Sequence, residues 1–166
     1  MKIREMVSDA DLEKVKKMFR QYFEWITDDH GISMSYQGIE SELDNLPGKF
    51  SPPEGCLLIA EIDGKPAGCV ALRSFQPGAC EMKRLFVKPG YRGQGVGKAL
   101  AKRIITEAKL KGYRKMLLDT GDFMVAAQEL YQSLGFKEIG QYYDVPAEVL
   151  KRSVFMERSL DDLLKD

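Results

Sequence analysis

The segment Val87-Lys-Pro-Gly-Tyr-Arg-Gly-Gln-Gly-Val-Gly-Lys98 carries the densest chemical signal in the chain. Glycines at 93, 95 and 97 join the end of an apolar run to the start of a helical pattern. Unpaired N–H groups at a helix start, aligned with its dipole, form an anion site, and missing β-carbons let phosphate oxygens reach the backbone. Arg92 and Lys98 supply flanking cations. A tight turn that needs only a positive φ is met by one glycine; three glycines with flanking cations point to a bound phosphate. A Walker A loop requires Gly at position 92 and Ser or Thr at 99, where Arg92 and Ala99 stand. A GxGxxG pattern begun at Gly93 or Gly95 meets Lys98 or Leu100 at its last glycine. Both nucleotide patterns fail.

The surrounding elements must position that turn. Ile3, Glu5 and Val7 alternate with Lys2, Arg4 and Met6, predicting a first strand. Ser8 caps a helix with Asp9 and Asp11 at its positive end and Leu12, Val15, Phe19, Tyr22, Phe23 and Ile26 along one face. A weaker helix is expected over Tyr36 to Leu46. Strands over Cys56–Ile62 and Ala67–Arg73 flank Asp63-Gly64-Lys65-Pro66, a hairpin signal, and Gln76-Pro77-Gly78 leads to a third strand ending at Val87. The period then changes: a helix over Gly95 to Lys111, a strand over Tyr113 to Leu118, a helix over Phe123 to Leu134, and strands from Phe136 and over Ser153 to Glu157, before a short polar tail. One α/β domain over 1–166 is expected, with a βαβ unit from Cys80 to Leu118.

Composition narrows the class. With 25 Lys plus Arg against 25 Asp plus Glu the formal charge is zero, which argues against a nucleic-acid or membrane-surface partner. The zero conceals a segregation: residues 81 to 115 hold eleven Lys or Arg and only two acids, Glu81 and Glu107. Cys56, Cys69 and Cys80 are odd in number and sit in apolar runs, as reduced core cysteines of a cytoplasmic protein do; no metal site is expected. No leader-like or membrane-spanning run is present in the sequence.

Arg92-x-x-Gly95-x-Gly97, following a strand and opening a helix, resembles the acyl-CoA signature of the GNAT superfamily of N-acetyltransferases, and small bacterial-type members most. Glu81-Met-Lys-Arg-Leu-Phe-Val87 resembles that family's fourth strand, and Ala127-Gln-Glu-Leu-Tyr131-Gln-Ser-Leu-Gly135-Phe136 its late helix and turn. The resemblance implies a mixed, mostly antiparallel twisted sheet with helices on both faces and a splayed central strand pair. It further implies acetyl-CoA as co-substrate, with its pantetheine arm along Leu85, Phe86 and Val87. The pyrophosphate is then expected on the backbone of Arg92, Gly93, Gln94, Gly95, Val96, Gly97 and Lys98. Many relatives carry Asn where this chain has Met124. The implied acceptor is a small-molecule or peptide amine, and a homodimer is a common assembly among such proteins.

Acetyl transfer to an amine needs a base for the ammonium, a donor for the oxyanion and a proton for the departing thiolate. Tyr131 is the candidate acid, since a phenol is protonated at neutral pH; a Tyr packing the helix on the sheet is the plainer alternative. Glu81 is the candidate base, acting through water: strand alternation puts Glu81, Lys83, Leu85 and Val87 on one face. An ion pair with Lys83 is its alternative. Backbone N–H groups near Phe86 or Val87 are the candidate oxyanion donors. His30 in a polar loop and Cys80 without a neighbouring His are weak candidates. Six acids and no Lys or Arg lie between residues 21 and 48; a cleft for a cationic amine and a solvated acidic helix face both account for them.

Overall fold

A computed structural model describes residues 1–161; the polar tail expected beyond falls outside the described residues. Seven strands form one sheet in the order β1-β2-β3-β4-β5-β7-β6, numbered along the chain. They are β1 (Lys2–Glu5), β2 (Cys56–Ile62), β3 (Lys65–Gln76), β4 (Ala79–Val87), β5 (Lys115–Gly121), β6 (Lys137–Ile139) and β7 (Ser153–Ser159). Only β4 and β5 pair parallel, as the crossover through helix α3 (Val96–Leu110) requires. All other neighbours are antiparallel. The β2–β3 hairpin turns on Asp63 and Gly64, both at positive φ, the two-residue geometry that matches strand twist.

Helices cover both faces. On one, α3 buries Val96, Leu100, Ala101, Ile104 and Ala108 against Leu58, Val70, Leu72 and Met116, with α4 (Val125–Ser133) beside it. On the other, α1 (Asp9–Glu24) buries Val15, Met18, Phe19 and Phe23 against Ile59, Cys69, Ala71 and Phe86. Ser8 caps α1 as expected, accepting the Asp11 amide at 3.1 Å. The helix expected over Tyr36 to Leu46 is broken instead: Gly38, at φ +64, separates a single 3-10 turn (Ser35–Gln37) from the short α2 (Ile39–Asp44). A fifth helix, α5 (Ala147–Leu150), precedes β7. No helix among the described residues is long and apolar enough to cross a membrane.

Two irregularities of β4 shape the site. Its pairing with β5 stops at Glu81/Leu117, although β4 runs on to Val87 and β5 to Gly121, so the central strands part. On its other edge, Arg84 and Leu85 together oppose Val70, a β-bulge with Arg84 at φ +60. The bulge shifts the alternation by one. Leu85 and Val87 therefore join Cys80 and Met82 on the α3 face, while Glu81 and Lys83 lie on the α1 face with Phe86. The common face expected for Glu81, Lys83, Leu85 and Val87 is thus corrected: Glu81 and Lys83 lie opposite the other two.

Candidate active site

Two adjoining cavities open where β4 and β5 part, sharing Tyr22, Leu85, Phe123, Met124 and Ala127 in their walls. The larger, about 390 Å³, runs from Leu85, Phe86 and Val87 to the glycine turn, where Arg92, Gly93, Gly95, Val96 and Gly97 line it. Gln94 and Lys98, expected beside them, do not line it and are exposed. Gly93 and Gly95 both lie at φ +80 with nothing within 4 Å of where a β-carbon would stand. Their conformation requires glycine, and the space over them is open to a ligand. Gly95 caps the N-terminus of α3, so the helix's free amides face this cavity. The Arg92 guanidinium donates through Nε to the Val87 carbonyl at 3.0 Å and lies over the Trp25 ring. The cavity is thus rimmed by the free amides of α3 and by an arginine, chemistry suited to an anionic group.

The second cavity is titratable. Lys83, Arg84, Asp119, Tyr36, Gln37, Tyr131 and Arg152 are among its walls. Tyr131, on α4, is 7% exposed with its ring edge-on to Phe136. Burial first, then the fields of Tyr22 and Asp119, push its phenol above the ordinary value, so it keeps its proton at neutral pH. Among the described residues no side chain hydrogen-bonds its hydroxyl, which leaves that donor available. Met124 lines both cavities, and its thioether accepts the Thr120 hydroxyl at 3.2 Å. A soft apolar contact therefore stands at the junction instead of an amide side chain.

Glu81 lines neither cavity and is 2% exposed. Its carboxylate accepts the Tyr142 hydroxyl at 2.5 Å and faces Lys83 Nζ at 3.7 Å and Arg73 at 3.5 Å. Lys83 bridges onward, donating to Asp119 Oδ1 at 3.2 Å, and the Tyr143 hydroxyl donates to Asp119 Oδ2 at 2.6 Å. Gln37 ties the far side, donating to the Tyr143 and Tyr36 hydroxyls and accepting from Arg84. Burial opposes ionisation of Asp119, but Lys83, the Tyr143 hydroxyl and Arg84 outweigh it and hold the carboxyl below its ordinary value. The same neighbourhood drives the Tyr143 phenol up, through burial first and the Asp119 charge second.

The acids between residues 21 and 48 do not line the cleft. Glu24, Asp28, Asp29, Glu40 and Asp44 are exposed, while Glu42 turns inward to Arg84 at 3.0 Å and Lys49 at 2.9 Å. His30 stacks on Phe123 at 3.8 Å between centroids and lines neither cavity. Cys56, Cys69 and Cys80 are buried free thiols, each pushed up to about 12 by burial, which leaves them poor nucleophiles at neutral pH.

Sequence reasoning missed Asp119, Gln37, Tyr142 and Tyr143. The strand expected to end at Leu118 runs to Gly121 and carries Asp119 with it. The adjacent Tyr142 and Tyr143, in irregular chain after β6, were its only other visible signal.

Splayed parallel strands, a glycine turn opening a helix and a Tyr on the following helix together define an acyl-CoA-dependent acyltransferase fold. The sequence model of the acetyltransferase (GNAT) family matches residues 12–136, and the chain belongs to that family. It is 40% identical over 138 residues to an uncharacterised N-acetyltransferase of Schizosaccharomyces pombe, covering 82% of both chains. It is 36% identical over 112 residues to an N-acetylaspartate synthetase of Xenopus tropicalis, covering 64% of this chain and 41% of that one. Among solved structures, an acetyltransferase of Salmonella typhimurium with its cofactor acetyl-CoA shares the fold at TM-score 0.68 and 24% identity, over 97% of this chain and 94% of that one.

Proposed function

We propose that the protein transfers an acetyl group directly from acetyl-CoA to the primary amine of a small molecule that also carries a carboxylate, as an amino acid does. The observation that carries this reading is the meeting of the two cavities at the β4–β5 splay, one rimmed by the free amides of α3 and the other lined by titratable groups. Arg152 supports the acceptor class. Of the three cations in the second cavity, Lys83 and Arg84 are buried in ion pairs with Asp119 and Glu42, whereas Arg152 is half-exposed and its ion pair is with the exposed Asp122 at 3.3 Å. A carboxylate beside the amine can exchange for Asp122 on Arg152, an attraction that an amine without a carboxylate lacks. Similarity to proteins named N-acetylaspartate synthetases points the same way.

In this reading Tyr131 protonates the departing thiolate, and the backbone around Leu85 to Val87 supplies the oxyanion donor. Glu81 forms the inner end of the proton path. Lys83 and Asp119 stand between it and the cavity, so Glu81 acts through them and through water. A non-catalytic acyl-CoA sensor is the alternative; the available phenol of Tyr131 in a polar second cavity is the observation against it. Acetyl-CoA with the standard amino acids, short peptides and the corresponding amines lacking the carboxylate, assayed by CoA thiol release, tests the reading. Turnover should favour acceptors that carry the carboxylate. Tyr131→Phe should lower kcat about 100-fold, within the range of a positioned general acid, while acetyl-CoA still raises the melting temperature. Clear stabilisation by acetyl-CoA with no turnover of any amine would establish the sensor instead.

A further inference from the structure

We infer that Asp119 is the seat of the acceptor amine, its carboxylate oxygens taking the N–H bonds that aim the nitrogen at the thioester. The inference rests on the transfer reading above and adds to it the residue that touches the amine. Asp119 is the one carboxylate among the residues lining the second cavity, and it stands on β5 just past the point where pairing with β4 stops. It therefore faces the gap through which an amine must approach an acetyl group lying along Leu85 to Val87. Its orientation is fixed by Lys83 on Oδ1 and Tyr143 on Oδ2, and Tyr143 is itself held by Gln37 at 3.1 Å. Each carboxylate oxygen offers two acceptor sites, so one such bond on each leaves capacity for an amine N–H. Lys83 and Tyr143 are positioning residues in this scheme, and Glu81 fixes Lys83 from behind.

The proton balance is complete without any further reactant. On becoming a nucleophile the ammonium loses one proton through water, along the path that ends at Glu81, and from there to solvent. Its lone pair then forms the C–N bond, the C–S bond breaks with its electron pair on sulfur, and Tyr131 gives sulfur a proton. The second amine proton passes to Asp119 and returns through water to the Tyr131 phenolate. The sum is an amide, a free CoA thiol and one released proton. The titratable groups facing Asp119 are Lys83 and Arg84 from β4, Tyr22 and Tyr131 from α1 and α4, Tyr36 from the 3-10 turn, and Tyr142 and Tyr143 from the chain after β6.

The test uses the full chain and the best acceptor from the amine panel. In Asp119→Asn, kcat/KM should fall about 100-fold near pH 7, as for loss of a positioned proton acceptor. The acetyl-CoA-induced rise in melting temperature should remain. The deficit should narrow at least about threefold once pH exceeds the acceptor's own pKa, because the part that comes from seating the ammonium is then relieved while the part that comes from taking the second proton stays; a purely structural loss would not track that pKa. Tyr143→Phe, which keeps the carboxylate but frees Oδ2, should raise the acceptor KM about fivefold or more and leave the acetyl-CoA KM unchanged. Activity of Asp119→Asn within about threefold of the parent, or a deficit independent of pH, overturns the inference. If Asp119→Asn does not fold, an unchanged acceptor KM in Tyr143→Phe overturns it. Absence of turnover with every amine sinks the transfer reading and the seat together, whereas turnover that survives in Asp119→Asn sinks the seat alone.

Discussion

Replacing Gly95 by Ala separates backbone strain from ligand recognition at the glycine turn. Gly95 holds φ +80 and caps α3, and a β-carbon there meets nothing within 4 Å. Steric collision with the protein is therefore absent, and only the left-handed backbone is penalised, by roughly 1–2 kcal/mol. For a domain of this length each kcal/mol lowers the melting temperature by about 2–4 °C, so the free variant should melt about 2–8 °C below the parent. The added methyl also projects into the open space beside the α3 amides, where a phosphate must approach. Acetyl-CoA affinity should then fall about tenfold or more, a further loss of at least about 1.4 kcal/mol. Gly90, in the same loop, supplies the control: its φ is not positive and a β-carbon there also meets nothing within 4 Å. Gly90→Ala should match the parent or gain about 0.4–1 kcal/mol through a less flexible unfolded chain. Thermal unfolding gives the first quantity and titration calorimetry with acetyl-CoA the second. A Gly95→Ala protein that melts with the parent refutes the strain argument; one that binds acetyl-CoA as tightly as the parent refutes the phosphate cradle.

Two further outcomes concern groups that hold the scaffold. Arg84→Met leaves the buried Glu42 carboxylate without its bidentate partner, which ordinarily costs about 3–5 kcal/mol; Lys49 at 2.9 Å should keep the loss at the lower end. Adding Glu42→Leu should recover most of it in urea unfolding, and a double variant no more stable than the single one contradicts the pairing. In the first turn of α1, the Arg4 hydrogen bonds foremost hold the Asp11 carboxyl well below the usual range, against its desolvation. A folded value below the unfolded one stabilises the fold above about pH 4 and is lost progressively as pH drops from there toward the folded value. The stability gap between the parent and Arg4→Ala should therefore shrink on acidification below about pH 4, and a gap that stays constant there removes Asp11 as its source.

How much of this was legible in the sequence follows from how local each signal is. The hairpin at Asp63-Gly64 and the Ser8 cap are short-range devices whose residue types state their geometry, and both appear where expected. The glycine turn was legible for the same reason: three missing side chains beside a helical period leave few other uses. The β4 bulge was not. Arg84 takes a left-handed backbone without being glycine, and the contacts that hold its side chain are tertiary: Glu42 and Gln37 grip its guanidinium from elements some forty residues away in the chain. Strand alternation, carried through that point, misplaces every residue on one side of it.

The charge segregation shows the same dependence on contacts remote in sequence. Lys83, Arg84, Lys115 and Arg114 belong to the basic segment, yet each is paired with an acid: Asp119, Glu42, Glu157 and Asp161. None of the four lines the glycine-turn cavity. Arg92, whose Nη atoms are not spent on its bond to the Val87 carbonyl, remains the cation at the turn's cavity. Part of the basic segment is thus neutralised by acids remote in sequence. The anion recognition proposed at the turn would then draw mainly on the amides of α3 and on the absence of side chains at Gly93 and Gly95, with charge in a lesser part.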